Sequence, residues 1–312
     1  MRGDQPVGRL AIAVVYFLKD DADLPFLEIH FDRIARHTNV PYTIYAAANR
    51  VTPAARTVID ARPDVVVCDV APTELRGSRE HAHHLDALVH VALEDPVSHL
   101  CTLDVDSFPV HDDWVARIAA AAPAQSGLAG ILRVENGDVA LPHPSCILAT
   151  RAFFERFTPS FSPDTDGSAE FRRFLRSTGQ SADTGIRLGY ALWSQHLAWG
   201  HLLRSNVVDP DGLMAGIYAD SVFHMGGIGR GKLFRRDVDA STVHRLTRPL
   251  ERLPVRGARA VRAQRAVLRR LRGSTEARLA ARNRETYALL RGWLFSDPDG
   301  FVTFLRGGAP AS

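Results

Sequence analysis

The stretch from Ser98 to Pro109 reads Ser-His-Leu-Cys-Thr-Leu-Asp-Val-Asp-Ser-Phe-Pro, and it constrains the chain more than any other. Leu100 to Leu103 is a short apolar run of residues that favour buried strands. It ends abruptly in two carboxylates, Asp104 and Asp106, with one small residue between them. Side chains two apart on a strand point the same way, so both acids are expected to face one site just past the strand's end. Pro109 is expected to stop the ladder. Asp112, Asp113 and Trp114 are expected to open a helix whose start is acidic, as helix N-termini prefer. Ligands of open α/β sheets bind beyond the carboxyl ends of the strands. Two hard oxygen ligands there suit Mg²⁺ or Mn²⁺ bridged to phosphates. The plainer alternative is a pair of solvated turn aspartates.

The flanking chain supplies a sheet for that strand. Leu10 to Phe17 is continuously apolar, as a central parallel strand covered on both faces would be. Leu24, Leu27, Phe31, Ile34 and Ala35 then recur at helical spacing. Pro41–Ala47 predicts a second strand, Pro53–Ala61 a short helix, Val65–Val70 a third strand and Arg79–Leu93 a further helix. Four strand–helix alternations predict an α/β fold with a doubly wound, mainly parallel sheet and helices on both faces. Beyond Ala122, Gly127–Arg133 and Val139–Thr150 read as strands joined at Asn136-Gly137. Segments 152–157, 168–177 and 184–198 read as helices. Val222–Met225 is a brief strand entering a glycine-rich turn.

Of the 312 residues 46% are apolar and 23% charged, ordinary for a globular protein. No apolar run approaches the ~20 residues that span a bilayer, and Leu10 to Leu18 reads as a strand rather than a signal peptide. Three widely spaced cysteines give neither a disulfide framework nor a zinc site, which points to a reducing, cytoplasmic setting. The net charge of +3 conceals an asymmetry. Arg245 to Arg291 holds 14 Arg and 3 Glu, a local +11, and the remainder sums to −8. This arm is expected to be helical, with a break at Gly273-Ser274. It has three readings: a solvated helix face, contact with an anionic membrane surface, or nucleic-acid binding. The last is disfavoured because no aromatic residue offers a stacking platform before Tyr287.

With Leu103-Asp104-Val105-Asp106 in place, the chain resembles nucleotide-sugar-dependent glycosyltransferases of the GT-A fold, family 2-like, over roughly residues 8 to 232. The resemblance implies a nucleotide-sugar-binding half (8–122), an acceptor half (123–244) and an Arg-rich helical extension (245–312). Arg76-Gly77-Ser78-Arg79-Glu80-His81 and Leu85-Asp86 stand where such enzymes contact nucleotide and sugar, which nominates Ser78, His81 and Asp86. Val222-Phe223-His224-Met225-Gly226-Gly227 looks like the late metal-binding histidine and its turn. The implied metal ligands are Asp104, Asp106 and His224 for Mn²⁺ or Mg²⁺, with Asp104 touching either the ribose or the ion. Asn49 and Asp69, at strand ends, are candidates for base or ribose. Arg230 and Lys232 would hold the diphosphate. The acidic catalytic motif has no clean copy; Asp183 is the best positional match, and a simple helix cap is the alternative.

The implied activity is sugar transfer from a nucleotide-diphosphate donor to an unknown acceptor hydroxyl, with no nucleic-acid partner and with the arm able to rest on the inner membrane surface. Two alternatives stand beside it. One is a haloacid-dehalogenase-type phosphatase, whose D-x-D normally opens its domain. The other is a non-catalytic binding module of transferase fold. His83, His84 and His90 are expected on a partly exposed helix face. His143 and Ser145 stand where an acceptor loop would lie, or on a proline-bounded sheet edge.

Overall fold

The computed structural model describes residues 7–164, 167–226, 233–255 and 257–308. Its strands are β1 (Leu10–Tyr16), β2 (Tyr42–Ala48), β3 (Val65–Val67), β4 (His99–Leu103), β5 (Ser107–Pro109), β6 (Leu128–Ile131), β7 (His143–Thr150), β8 (Gly200–Leu202), β9 (Gly216–Tyr218) and β10 (Val222–His224). Seven of them form one sheet in the order β3-β2-β1-β4-β7-β6-β8. The first four are parallel, β7 runs antiparallel to β4 and β6, and β8 is again parallel to β6. This is the expected mixed α/β architecture, with a helical extension at the C-terminal end.

Every residue of β1 is buried. Leu10, Ile12, Val14 and Tyr16 enter one core, while Ala11, Ala13 and Val15 enter the other. Burial on both faces is why this strand carries no alternation of polar residues. The first core is closed by α1 (Leu24–His37), α2 (Pro53–Asp60) and α4 (Trp114–Ala121); the second by α3 (Ser78–Glu94), α5 (Arg151–Phe157) and, beyond α6 (Ala169–Thr178), by α7 (Ile186–Ser194). Trp114 is fully buried, and its indole N–H donates to Thr38 Oγ1 at 3.2 Å.

Four local expectations change. The third strand stops at Val67, and the helix expected from Thr184 starts at Ile186 behind Gly185, whose φ is +91°. A Cβ on Gly185 would lie 2.7 Å from the Pro142 carbonyl oxygen, so glycine is required there. Pro109 does not stop pairing; it ends β5, the edge of a small sheet ordered β5-β10-β9, where a missing N–H costs nothing. His143 lies not on a sheet edge but at the start of β7, between β4 and β6.

The chain continues through α8 (Arg235–Ala240), α9 (Thr242–Arg252), α10 (Ala258–Ser296) and α11 (Pro298–Leu305). No break occurs at Gly273, because α10 is pinned along its length and a helical glycine costs only about 1 kcal/mol. Leu290 and Leu294 of α10 and Phe301, Val302 and Leu305 of α11 belong to the first core. Phe295 meets Phe26 edge-on with ring centroids 4.7 Å apart, and Arg291 pairs with Asp23 at 2.7 Å. No helix among the described residues is long and apolar enough to cross a membrane.

Candidate functional site

Asp104, Val105 and Asp106 leave the end of β4 as a turn closed by the Ser107 N–H, which donates to the Asp104 carbonyl at 2.9 Å. The turn feeds β5, which pairs antiparallel with β10 so that Ser107 stands opposite His224. Two further bonds tie the segments together. The Met225 N–H donates to the Asp106 carbonyl at 2.9 Å, and the Gly226 N–H donates to Asp106 Oδ2 at 3.1 Å. His224 Nε2 thereby lies 3.8 Å from Asp106 Oδ1 and 4.0 Å from Asp104 Oδ2. The aspartates do not share a strand face as expected; a turn and the pairing of β5 with β10 bring them to the histidine instead.

His143 arrives from the other side. Antiparallel pairing sets Cys146 opposite Leu103, which carries the start of β7 to the end of β4. Its ring lies 5.4 Å from that of His224, centroid to centroid. Asp104, His143 and His224 each offer one ligand atom within 4.8 Å of the other two, the one cluster of this kind among the described residues. That spacing fits a single ion, since ligands ~2 Å from a metal are at most ~4–5 Å apart. His81 Nε2 sits 3.5 Å from Asp104 Oδ1, on the side of α3.

The cluster opens into a cavity of about 670 Å³ walled by residues from both halves of the chain. Asn49, Ser78, His81, Asp104, Asp106, Asp183 and His224 all line it. Asp183 does not cap α7, where Gly185 holds the cap position. Its Oδ1 accepts from the Ser78 hydroxyl at 2.6 Å and from the Thr184 N–H at 2.9 Å. Asp69 and Asp86 are not brought to this cavity. Asp69 lines a separate hollow of about 250 Å³, two residues past the end of β3. Asp86, two turns along α3 from Ser78, accepts from Ser160 Oγ at 2.5 Å and the Phe161 N–H at 2.7 Å. Burial pushes its carboxyl up, and those two bonds oppose the rise; its role is to fasten the 158–164 loop. Arg230 and Lys232 lie outside the described residues.

Several residues of the wall carry no sequence signal. Arg50 pairs with Glu80 at 2.7 Å. Arg133 pairs with Asp138 at 2.9 Å, and Gln180 donates to Asp138 Oδ1 at 3.2 Å. Leu233, Phe234 and Val238 form an apolar side. The α8 segment that bears Val238 is held by α10, where Asn283 donates to Asp237 Oδ2 at 2.6 Å. The phenol of Tyr287, also on α10, is pushed well up by burial first and then by the carboxylates of Asp106 and Asp23. Tyr287 of α10 therefore feels the charge of Asp106 in the candidate site.

In sequence the chain matches no family model and no curated protein. In structure it is similar to the mannosyltransferase PcManGT of Pyrobaculum calidifontis, solved in complex with GDP-Man and Mn²⁺: TM-score 0.45 and 14% identity, covering 97% of this chain and 84% of that one. It is also similar to the galactosyltransferase LgtC, solved with donor and acceptor sugar analogues, at TM-score 0.39 and 11% identity, over 82% of this chain and 99% of that one. A third likeness is the apo-form glycosyltransferase GlyE of Streptococcus pneumoniae, at TM-score 0.37 and 12% identity, over 63% of this chain and 45% of that one. Each is a loose likeness.

Proposed function

We propose that the chain is a metal-dependent glycosyltransferase of GT-A type that moves a sugar from a nucleotide-diphosphate donor to an acceptor hydroxyl. The observation that carries this reading is the Asp104–His143–His224 cluster at the C-terminal end of β4, opening into a cavity that also holds Ser78 and Asp183. The cavity volume lies in the range of small-molecule sites. Asp104, Asp106 and His224 would hold Mn²⁺ or Mg²⁺, and the bound ion would neutralise charge gathering on the diphosphate as the anomeric C–O bond breaks. Asn49, beyond β2 in the cavity wall, would meet the base or ribose. Asp183 is the acceptor's base: its carboxylate takes the hydroxyl proton while the Ser78 hydroxyl and Thr184 N–H fix its orientation. The exposed arginines of α10 favour contact with an anionic membrane surface from a cytoplasmic position.

The test is hydrolysis or transfer from a panel of nucleotide-diphosphate sugars by purified protein with Mn²⁺, against an EDTA control and a phosphomonoester. Donor turnover lost in EDTA supports the reading. Turnover of the phosphomonoester alone would replace it with the phosphatase, and no turnover with no donor binding would leave a binding module.

A further inference from the structure

We propose that His143 joins Asp104, Asp106 and His224 as a metal ligand, and that the second imidazole makes the site select a transition-metal ion over Mg²⁺. The inference rests on the metal-centre reading above and names the residue that sets its ion preference.

Three observations converge on His143. It is 8% exposed, at the start of a central strand. Its ring lies beside that of His224, inclined by 34°, and one of its nitrogens shares the 4.8 Å cluster with His224 and Asp104. Its Nδ1 is engaged within the chain, 2.6 Å from Ser145 Oγ and 3.3 Å from the Ser145 N–H. The Ser145 N–H donates to Nδ1 here; an ion bound at Nε2 would shift the proton to Nδ1, which would then donate to the Ser145 hydroxyl and give up the longer bond, the arrangement that commonly orients metal-bound histidines. The rigidity of the strand adds to this. His143 and Asp104 lie just beyond the last pair of the β4–β7 ladder, Leu103 with Cys146, so that pairing brings the two ligands to the same end of the sheet.

Ligand chemistry then decides the ion. Mg²⁺ takes oxygen ligands, demands near-ideal octahedral geometry and keeps its waters, so two imidazoles serve it poorly. Imidazole suits Zn²⁺, Fe²⁺, Co²⁺ and Ni²⁺, and affinities at nitrogen-rich sites rise along the series from Mn²⁺. Asp106 receives the Gly226 N–H at Oδ2 and brings Oδ1 within 3.8 Å of His224 Nε2. Four protein ligands leave coordination positions for substrate oxygens on a six-coordinate ion.

The experiment measures metal binding to the full chain, stripped with EDTA and without any donor, by competition with a chromophoric chelator. Wild-type protein should bind Co²⁺ and Zn²⁺ at least ~100-fold more tightly than Mg²⁺. His143→Asn should weaken Co²⁺ and Zn²⁺ roughly 10- to 100-fold and Mg²⁺ by far less, so that the gap between them narrows. His143→Asp, which replaces an imidazole by a second oxygen ligand, should narrow the gap between Co²⁺ and Mg²⁺. The unmutated protein gives an independent readout: its Co²⁺ complex should show two hyperfine-shifted imidazole N–H protons in the NMR spectrum. Equal wild-type affinities for Co²⁺ and Mg²⁺, a single shifted N–H, or Co²⁺ binding unchanged in a folded His143→Asn would overturn the proposal. Because no donor is present, lack of sugar transfer would sink the transferase reading without touching this one. Donor turnover with a metal site indifferent to His143 would do the reverse.

Discussion

At the scale of single residues, the turn from Asp104 to Ser107 is held by backbone bonds as much as by its acids. Asp106 is 4% exposed and receives the Gly226 N–H, so it is a buried joint and not the exposed strand-end carboxylate that its sequence position suggested. Asn at this position keeps an oxygen acceptor for that N–H while removing the charge. Asp106→Asn is therefore expected to fold, with a melting midpoint close to wild type, and to lose metal-dependent donor turnover by 100-fold or more. Turnover at the wild-type rate would remove Asp106 from the metal site. Gly226 has φ +70°, and a Cβ there would sit 3.7 Å from His224 Cε1, which is ordinary contact. Gly226→Ala should cost about 1–2 kcal/mol in urea denaturation, from left-handed backbone strain rather than from a clash. A larger loss would mean that the turn has also lost its bond to Asp106.

Elements set the second layer of control. Fully buried His30 of α1 donates its Nδ1–H to the Ser107 carbonyl at 2.7 Å, which fixes β5 immediately after the metal-site turn. Burial lowers this imidazole to about 4, and its bond to Ser107 only partly opposes the shift. The sign follows from linkage. Above the ordinary value near 6.5 both states are neutral; as pH falls toward 4 the unfolded chain takes up a proton that the folded chain refuses. Stability should therefore drop between pH 6.5 and 4, by about 3 kcal/mol from this residue. Urea titrations at pH 7, 5.5 and 4.5 should show the loss, and His30→Asn, which retains an N–H donor, should flatten it. An unchanged acid slope in that variant would place the titrating group elsewhere.

For the whole molecule, the C-terminal helices combine two roles that sequence alone would separate. Leu290, Leu294, Phe301, Val302 and Leu305 are buried in the first core. At roughly 1.5–3 kcal/mol per buried side chain, their loss rivals the entire 5–15 kcal/mol stability of a typical domain. Truncation at residue 256 should consequently yield protein without a cooperative melting transition. A cooperatively folding truncation product would show that this packing is dispensable. The membrane reading is better tested by neutralising Arg259, Arg262, Arg269 and Arg270, all exposed on α10. The quadruple Arg→Gln variant should fold normally and bind anionic phosphatidylglycerol vesicles more weakly. Salt should mimic the change in wild type, because exposed charges are screened over ~10 Å at 0.1 M. Equal vesicle binding by both proteins would leave packing as the role of this surface.

The sequence by itself determined what depends on local pattern. A continuous apolar run makes β1 a strand buried on both faces, and repeated strand–helix alternation makes the sheet; Leu100 to Leu103 followed by two aspartates marks where a ligand would bind. His224 was legible because a short strand delivers it into glycines. Tertiary structure alone decided what depends on strand order and register. His143 joins Asp104 because β7 runs antiparallel beside β4, a pairing that nothing near Pro142-His143-Pro144 announces. Arg50 with Glu80, and Arg133 with Asp138, become cavity walls only once separate strand ends and helix starts converge. Asp69 and Asp86 share the residue type but not the cavity: one lines a separate hollow, and the other accepts from Ser160 and Phe161. The C-terminal arm reads as charged with an apolar helix side suited to packing or to an anionic surface; only the folded chain shows that Leu290, Leu294, Phe301, Val302 and Leu305 enter the first core while Val267 and Leu271 stay exposed. Local chemistry fixes an element's type; which side chains meet is fixed by how the elements pair, and that is a property of the folded chain.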